Sequence, residues 1–414
     1  MTFDLSDPKL LFSDEVLADP GPLYDQLRRE APVWRIPDQD SYLVSDPRLI
    51  REAVGRTSEF SSNLVSLLYR DERGCPISFD MAPLGDAIHV LAVADPPAHA
   101  VHRRLLQPHM SPDAVNALAD AIRQFADERL DLILAANGGD IVEGLTNPLP
   151  AQVVCRLIGL PGKDSERLVQ LVWEIGPLLD GITDGEGMAR ASSAALELIE
   201  YVQSHLQAAL NEGPFTSPIG GLLGVLVEGI KHGQINAQDA AGILMQLIAA
   251  GTETTSSLMA TTIEILARDQ GLQEHLRREP SLIPETLEEI LRADGPFQFH
   301  YRFTRVDADL GGTSIPANSR VLLMWAAANR PAVDGANNLK VDGDEARRVP
   351  HYAFGRGLHF CIGAPLARLE ARIVIEQLLR RTPGFRLNER EITARRRSIS
   401  LRRHVSLHIQ FGAD

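Results

Sequence analysis

The stretch FGRGLHFCIGAPLARLEAR, Phe354 to Arg372, sets one cysteine among three glycines directly before a strongly helical run. Gly355, Gly357 and Gly363 permit backbone angles closed to other residues and let the chain approach a flat partner closely. Cys361 lies just before a helix start, with Pro365 suited to its first turn. Backbone N–H groups at such a start favour an anion, so the position predicts a stabilised thiolate with a lowered pKa. A lone thiolate serves as a nucleophile, as one ligand of a metal cluster, or as an axial ligand to haem. A cluster needs further Cys or His at ligand spacing, and only His359 is near. A nucleophile needs a positioned base. The plain alternative is a buried free cysteine.

The rest of the chain narrows the setting. It has 414 residues, 44% hydrophobic and 23% charged, an ordinary globular composition. The net charge of −14 argues against nucleic acid as partner, because phosphate binding needs a basic face. Three cysteines, Cys75, Cys155 and Cys361, are too few and scattered for a disulfide framework. The amino terminus MTFDLSDPKLLFSDE lacks the cationic and apolar regions of a signal peptide. No apolar run reaches the roughly 20 residues of a membrane span, so the expectation is a cytoplasmic protein with no membrane anchor.

Periodicity predicts a mainly α protein, a large helical part with a smaller β-rich part, over one domain from 1 to 414. Helical patterns cover Pro22 to Arg29 and most of Pro97 to Asp269, with Ser111 and Asn236 as N-caps. SLIPETLEEILRADG is a further helix, and GAPLARLEARIVIEQLLRRTPG another. Strand patterns fall mainly in 30–60, 296–325 and 385–412, the last reading as a strand pair in SISLRRHVSLHIQF. Residues Ser62 to Val93 read as an irregular binding loop.

The string F-G-x-G-x-H-x-C-x-G is filled by Phe354, Gly355, Gly357, His359, Cys361 and Gly363. It resembles the haem-binding loop of the cytochrome P450 family, and the soluble bacterial members in particular. The resemblance implies haem b (iron protoporphyrin IX) sandwiched between a long distal helix and the cysteine-loop helix. Cys361 would be the proximal thiolate, which favours O–O cleavage, with Phe354 beside the sulfur. In LIAAGTETTSS, the A-G-x-E-T pattern from Ala250 to Thr254 resembles the family's oxygen-activation groove. Thr254 would steady activated oxygen and an ordered water there, and Glu253 would relay protons from solvent. In LEEILR, spacing alone lets Arg292 pair with Glu288 or Glu289; the family's E-x-x-R selects Glu289, as a structural ion pair. His99 and Arg103, four apart, with Arg302 and His359, match the family's propionate donors. The segment after AANR departs from the family's pattern, with Leu339 where Phe is usual and Arg347 or Arg348 as the anchor.

The resemblance thus implies a monooxygenase that inserts one oxygen atom from dioxygen into a hydrophobic small molecule, by hydroxylation or epoxidation. Electrons would come from a separate ferredoxin and ferredoxin reductase. A peroxide-driven peroxygenase and a non-catalytic haem sensor are the alternatives. Arg347, Arg348, Arg356, Arg368 and Arg372 form a basic cluster suited to an acidic ferredoxin. The expected substrate pocket comprises Ile243, Leu247 and Ala250 on one helix stripe, with Phe297, Phe299 and Ile399, the segment Trp173 to Ile182 and the loop Ser62 to Val93. Phe297 and Phe299 alternate with Gln298 and His300, so one pair is expected to face the haem. His300 reads as a satisfied surface histidine, with a polar contact in the pocket or an approach to the iron as its alternatives.

Overall fold

Helix-forming runs dominate the chain, and the computed structural model, which describes residues 2–81, 89–211, 221–330 and 350–412, is built around the longest of them. Nine helices frame the site: α1 (Ala98–Leu106), α2 (Ala119–Ala135), α3 (Pro148–Ile158), α4 (Ser165–Ile175), α5 (Gly185–Asn211), α6 (Leu222–Lys231), α7 (Ala237–Arg268), α8 (Ile283–Asp294) and α9 (Ala364–Arg381). The 32 residues of α7 span about 48 Å at 1.5 Å per residue. Its start is fixed by Asn236, whose Oδ1 accepts from the Asp239 amide at 2.7 Å. Buried residues recur all round it, as expected of a central helix rather than a surface one. It packs on α3, α5 and α9. Its C-terminal half joins α2, α8 and α9 in one core that includes Ile122, Met259, Ile263, Ile290 and Val374. Its N-terminal half joins α3 to α6 in a second, with Ile158, Leu198, Leu226 and Ile243.

The strands used below are β1 (Val33–Arg35), β2 (Ser41–Val44), β3 (Phe60–Ser61), β4 (Ser66–Arg70), β5 (Pro76–Asp80), β6 (Gly138–Asp140), β7 (His300–Thr304), β8 (Arg320–Leu323), β9 (Phe385–Leu387), β10 (His404–Ser406) and β11 (His408–Phe411). Five make one sheet in the order β1-β2-β8-β7-β3, antiparallel except for β8 beside β2. Val321 lies opposite Arg302, which fixes the register of β7 and places Arg302 within the protein. β9, β11 and β6 make a second sheet.

Two readings of the sequence need correction. The stretch Ser62 to Val93 is not wholly irregular, for β4 and β5 pair as a hairpin. Its turn is made by Asp71, whose carboxylate accepts from the amides of Arg73 and Cys75, with Gly74 at φ +88°. The C-terminal run does form two strands, β10 and β11, but they do not pair with each other. Only the buried Leu407 separates them, too little chain for a hairpin, so β11 joins β9 and β6 while β10 pairs with Ala394–Arg395.

Candidate active site

The cysteine loop is shaped by its own backbone. The Cys361 amide donates to the Phe354 carbonyl at 2.9 Å, and the Gly355 amide to the Tyr352 carbonyl at 2.8 Å. Gly355 (φ +66°) and Gly357 (φ +74°) occupy the left-handed region, which a Cβ would strain. The loop then enters α9, so the amides of Gly363 and Ala364 face the thiol. Desolvation by the surrounding atoms raises the thiol's pKa and these amides, Arg103 and Arg368 lower it, with the net direction upward, although the residue itself is exposed.

Cys361 opens onto a cavity between the loop and α7. Leu247, Ala250, Gly251 and Thr254 form the α7 wall, and Phe354, Cys361, Ile362, Gly363 and Leu366 the opposite one. Thr254 donates its hydroxyl proton to the Ala250 carbonyl at 2.7 Å, which leaves its lone pairs toward the cavity. His99, Arg103, His300 and His359 gather along one side. The His99 and His359 rings lie 4.2 Å apart. His359 Nε2 donates to the Ala94 carbonyl at 2.8 Å, and Arg103 donates to the Phe360 carbonyl at 2.9 Å. Burial first, then Arg302, His99, His300 and Arg103, push His359 down to about 3, so these groups form one electrostatic cluster. Arg302 stands behind the lining, donates to the Tyr301 carbonyl at 2.8 Å, and is lowered to about 10 by burial.

These residues fit haem. One thiol lies on an apolar wall, and no three His, Cys, Asp or Glu side chains among the described residues stand together as ligands for an ion or cluster. The cationic and N–H donors are confined to one side, where two carboxylates would sit.

A structural frame holds the loop. Glu289 takes two bonds from Arg292, at 2.7 and 2.8 Å, and Arg292 also donates to the Asn329 carbonyl at 2.9 Å. The Asn329 side chain in turn accepts from the Tyr352 amide at 2.6 Å, just ahead of Phe354. Glu288 faces the other way. It binds Arg368 at 2.6 and 2.7 Å and His351 at 3.0 Å, and is lowered to about 2 mainly by those two partners acting against burial. The Arg368 guanidinium lies 4.3 Å from the Phe354 ring centre.

Several expected pocket residues lie elsewhere. Ile243 shares the stripe of Ala250 but stands about 10 Å further along the helix, inside the second core. Phe299 is buried against Tyr301, their rings edge to face at 5.1 Å. The alternation fails because the strand begins only at His300: Gln298 bonds to the Ser400 backbone, and Phe297 and His300 both reach the cavity. Ile399 packs with Leu68 and Phe12. Trp173 and Ile182 line a separate open cleft with Arg70 and Arg396. Of the 62–93 loop, Leu91 and Ala92 line the cavity. Glu253 is buried and faces Arg403, which also approaches Asp180 at 3.6 Å and covers Trp173. Leu339, Arg347 and Arg348 lie outside the described residues.

His300 is not on the surface. It lines the cavity, stacks on Phe297 at 4.6 Å, and accepts from Trp325 Nε1 at 2.6 Å. Glu370 was also missed: it lies on α9 with its carboxyl against the cavity, and Oε2 has no hydrogen bond. The aromatic neighbours and the strand start at residue 300 were the available signal for His300. Nothing in the sequence set Glu370 apart from an ordinary helical glutamate.

Comparison with known proteins agrees with this geometry. Residues 186–391 match the sequence profile of the family described as Cytochrome P450. The chain is 37% identical to Cytochrome P450 144 of Mycobacterium tuberculosis over 377 residues, 91% of this chain and 86% of that protein. It is 31% identical to Cytochrome P450 monooxygenase PikC of Streptomyces venezuelae, over 90% of this chain and 86% of that one. The crystal structure of CYP109E1 from Bacillus megaterium in complex with testosterone superimposes with a TM-score of 0.83 at 27% identity, covering 97% of this chain and all of that one.

Proposed function

The chain belongs to the cytochrome P450 family and is a haem-dependent oxygenase, and we propose that, as one domain over 1–414, it inserts one oxygen atom from dioxygen into a hydrophobic small molecule by hydroxylation or epoxidation. The observation that carries this is the apolar cavity with Cys361 on one wall and Ala250 and Thr254 on the other. Haem held there would supply dioxygen activation. The chain's residues supply the rest. Cys361 would ligate the iron. His99, Arg103, Arg302 and His359 would hold the propionates. Leu247, Ala250 and Phe297 give the substrate an apolar, water-poor surface. The Thr254 hydroxyl, whose own proton goes to the Ala250 carbonyl, accepts a hydrogen bond from water on the cavity side and would hold that water in place as a proton donor. Glu253 relays protons in this reading only when its carboxylate leaves Arg403.

Electrons in this reading come from a separate ferredoxin and its reductase. The support is a surface on the cysteine side where exposed Leu358 and Phe360 adjoin Arg356 and Arg103. Among the described residues no helix is long and apolar enough to cross a membrane.

The test is spectral and catalytic. The reduced protein with carbon monoxide shows a red-shifted Soret band that Cys361→Ser abolishes. A compound screen then seeks ligands that shift the ferric Soret band to shorter wavelength. Those ligands are incubated with NADPH, a surrogate ferredoxin and its reductase. Product formed with dioxygen supports the proposal. Turnover with peroxide alone, or haem binding with no turnover of any ligand, overturns it in favour of a peroxygenase or a sensor.

A further inference from the structure

Among the described residues, His300 is the cavity-lining histidine that the sequence motifs do not account for, and its chemistry is fixed by a neighbour. Indole Nε1 carries a hydrogen and can only donate, so the 2.6 Å contact makes His300 Nδ1 the acceptor. Burial pushes the ring down to about 3, so it is neutral. A neutral ring that accepts at Nδ1 carries its proton on Nε2. Among the described residues nothing accepts from that Nε2–H, while the side chain opens onto the cavity. His359 differs, because its Nε2–H is already given to the Ala94 carbonyl.

The ring cannot turn away from this position. Phe297 stacks on one face, with an interplanar angle of 18°. Trp325 is 1% exposed, stacks on Tyr352, and lies where a Cβ on Gly355 would touch it at 3.9 Å. The same indole therefore abuts the cysteine loop and sets the His300 tautomer. His300 also belongs electrostatically with Arg302 and His359, which places its free N–H at the donor-rich side of the cavity. A buried donor without a partner is costly, and the ligand group that side favours is a carboxylate.

We propose that His300 donates its Nε2–H to a haem propionate, with Trp325 as the positioning residue that fixes the tautomer. This rests on reading His99, Arg103, Arg302 and His359 as the propionate side of the cavity.

The test is haem loss from the holoprotein to excess apomyoglobin, measured with haem and with haem dimethyl ester, whose propionates are blocked. His300→Phe keeps the stack on Phe297 and removes the donor, so free-acid haem leaves about tenfold faster. His300→Gln can accept from Trp325 and still donate, so it stays within about threefold of wild type. The dimethyl ester keeps carbonyl oxygens that accept but carries no charge, so with it the acceleration in His300→Phe shrinks to about threefold or less. Equal loss of free-acid haem from wild type and His300→Phe overturns the proposal. So does an equal acceleration with both forms, which would make the effect one of packing. In either case a wild-type preference for the free acid keeps the propionate reading. Absence of that preference removes the propionate reading, and the proposal with it.

Discussion

Glu370→Gln should make the protein more stable than wild type by a margin that grows with pH. The Glu370 side chain is 1% exposed, its Oε2 is unbonded, and burial holds its carboxyl well above the ordinary carboxylate range. In the unfolded chain it ionises near the ordinary value of about 4.3. A carboxyl raised on folding contributes a stability that is fully present below the unfolded pKa and lost as pH rises toward the folded one. That loss is about 1.4 kcal/mol per pH unit for one proton. Both pH 5.5 and pH 7.5 lie above the unfolded value, so wild type loses up to about 2.7 kcal/mol between them, the limit being a folded Glu370 that keeps its proton throughout. The substituted amide has no such proton, and every other group is shared and cancels. At about 2.1 cal/mol/K per residue, 414 residues give an unfolding entropy of about 0.9 kcal/mol/K. The Tm difference between variant and wild type should then widen with pH, by up to about 3 °C from pH 5.5 to 7.5. Circular dichroism melts of both holoproteins measure it. The new amide adds an offset that does not depend on pH, so only the trend counts. A difference that stays constant or shrinks refutes a neutral buried Glu370.

Arg292→Leu leaves the Glu289 carboxylate buried without its bidentate partner and removes the bond to the Asn329 carbonyl, which costs about 3–5 kcal/mol. Chemical denaturation and the haem content of the purified protein check it; a variant as stable as wild type and full of haem removes the pair from the frame of the cysteine loop. Arg356→Glu should slow reduction by an acidic ferredoxin about three- to tenfold at low salt, with the difference fading at high salt. Stopped-flow reduction at two ionic strengths decides, and equal rates at both mean that the ferredoxin docks elsewhere. Arg356 suits this test better than Arg368, whose guanidinium is committed to Glu288 and to the Phe354 ring.

What the sequence revealed and what it hid divide along physical lines. The start of α7 was legible because a local rule, an Asn cap, specifies it, whereas the cysteine loop and the Glu289–Arg292 pair were singled out by resemblance to a family pattern, since spacing alone left Glu288 equally open. The cavity's apolar wall was legible where a helical stripe faced it, at Leu247 and Ala250. Ile243 failed because a stripe gives direction and not depth; it lies wholly inside a core that Leu247 only flanks from the cavity wall. Phe299 and His300 failed for a related reason, since period-two logic holds only inside a strand and the chain is irregular until His300. Ile399, Trp173 and Arg403 are positioned by contacts between segments remote in sequence, and no local pattern encodes those. The helix start after Cys361 was visible in the sequence, and the surrounding atoms that work against its pull on the thiol were not.

The adjacency of Glu253 and Thr254 looks different on the helix than on the page. Neighbouring residues on an α-helix point about 100° apart, and the cavity wall takes Thr254 and Thr255 but not Glu253. Thr254 takes the cavity side, and Glu253 must then face the protein beyond it. A bare carboxylate buried there would be costly, and Arg403 supplies the compensating charge, itself shared with Asp180 and laid over Trp173. Asp180 is held above its usual range by burial, against the pull of Arg403 and Arg396, so the group of charges is tightly balanced. An acid beside the alcohol in sequence is thus not an acid beside it in space. In the proposed reading, protons reaching Thr254 from Glu253 would have to pass around the helix through water, after Arg403 had given up the carboxylate.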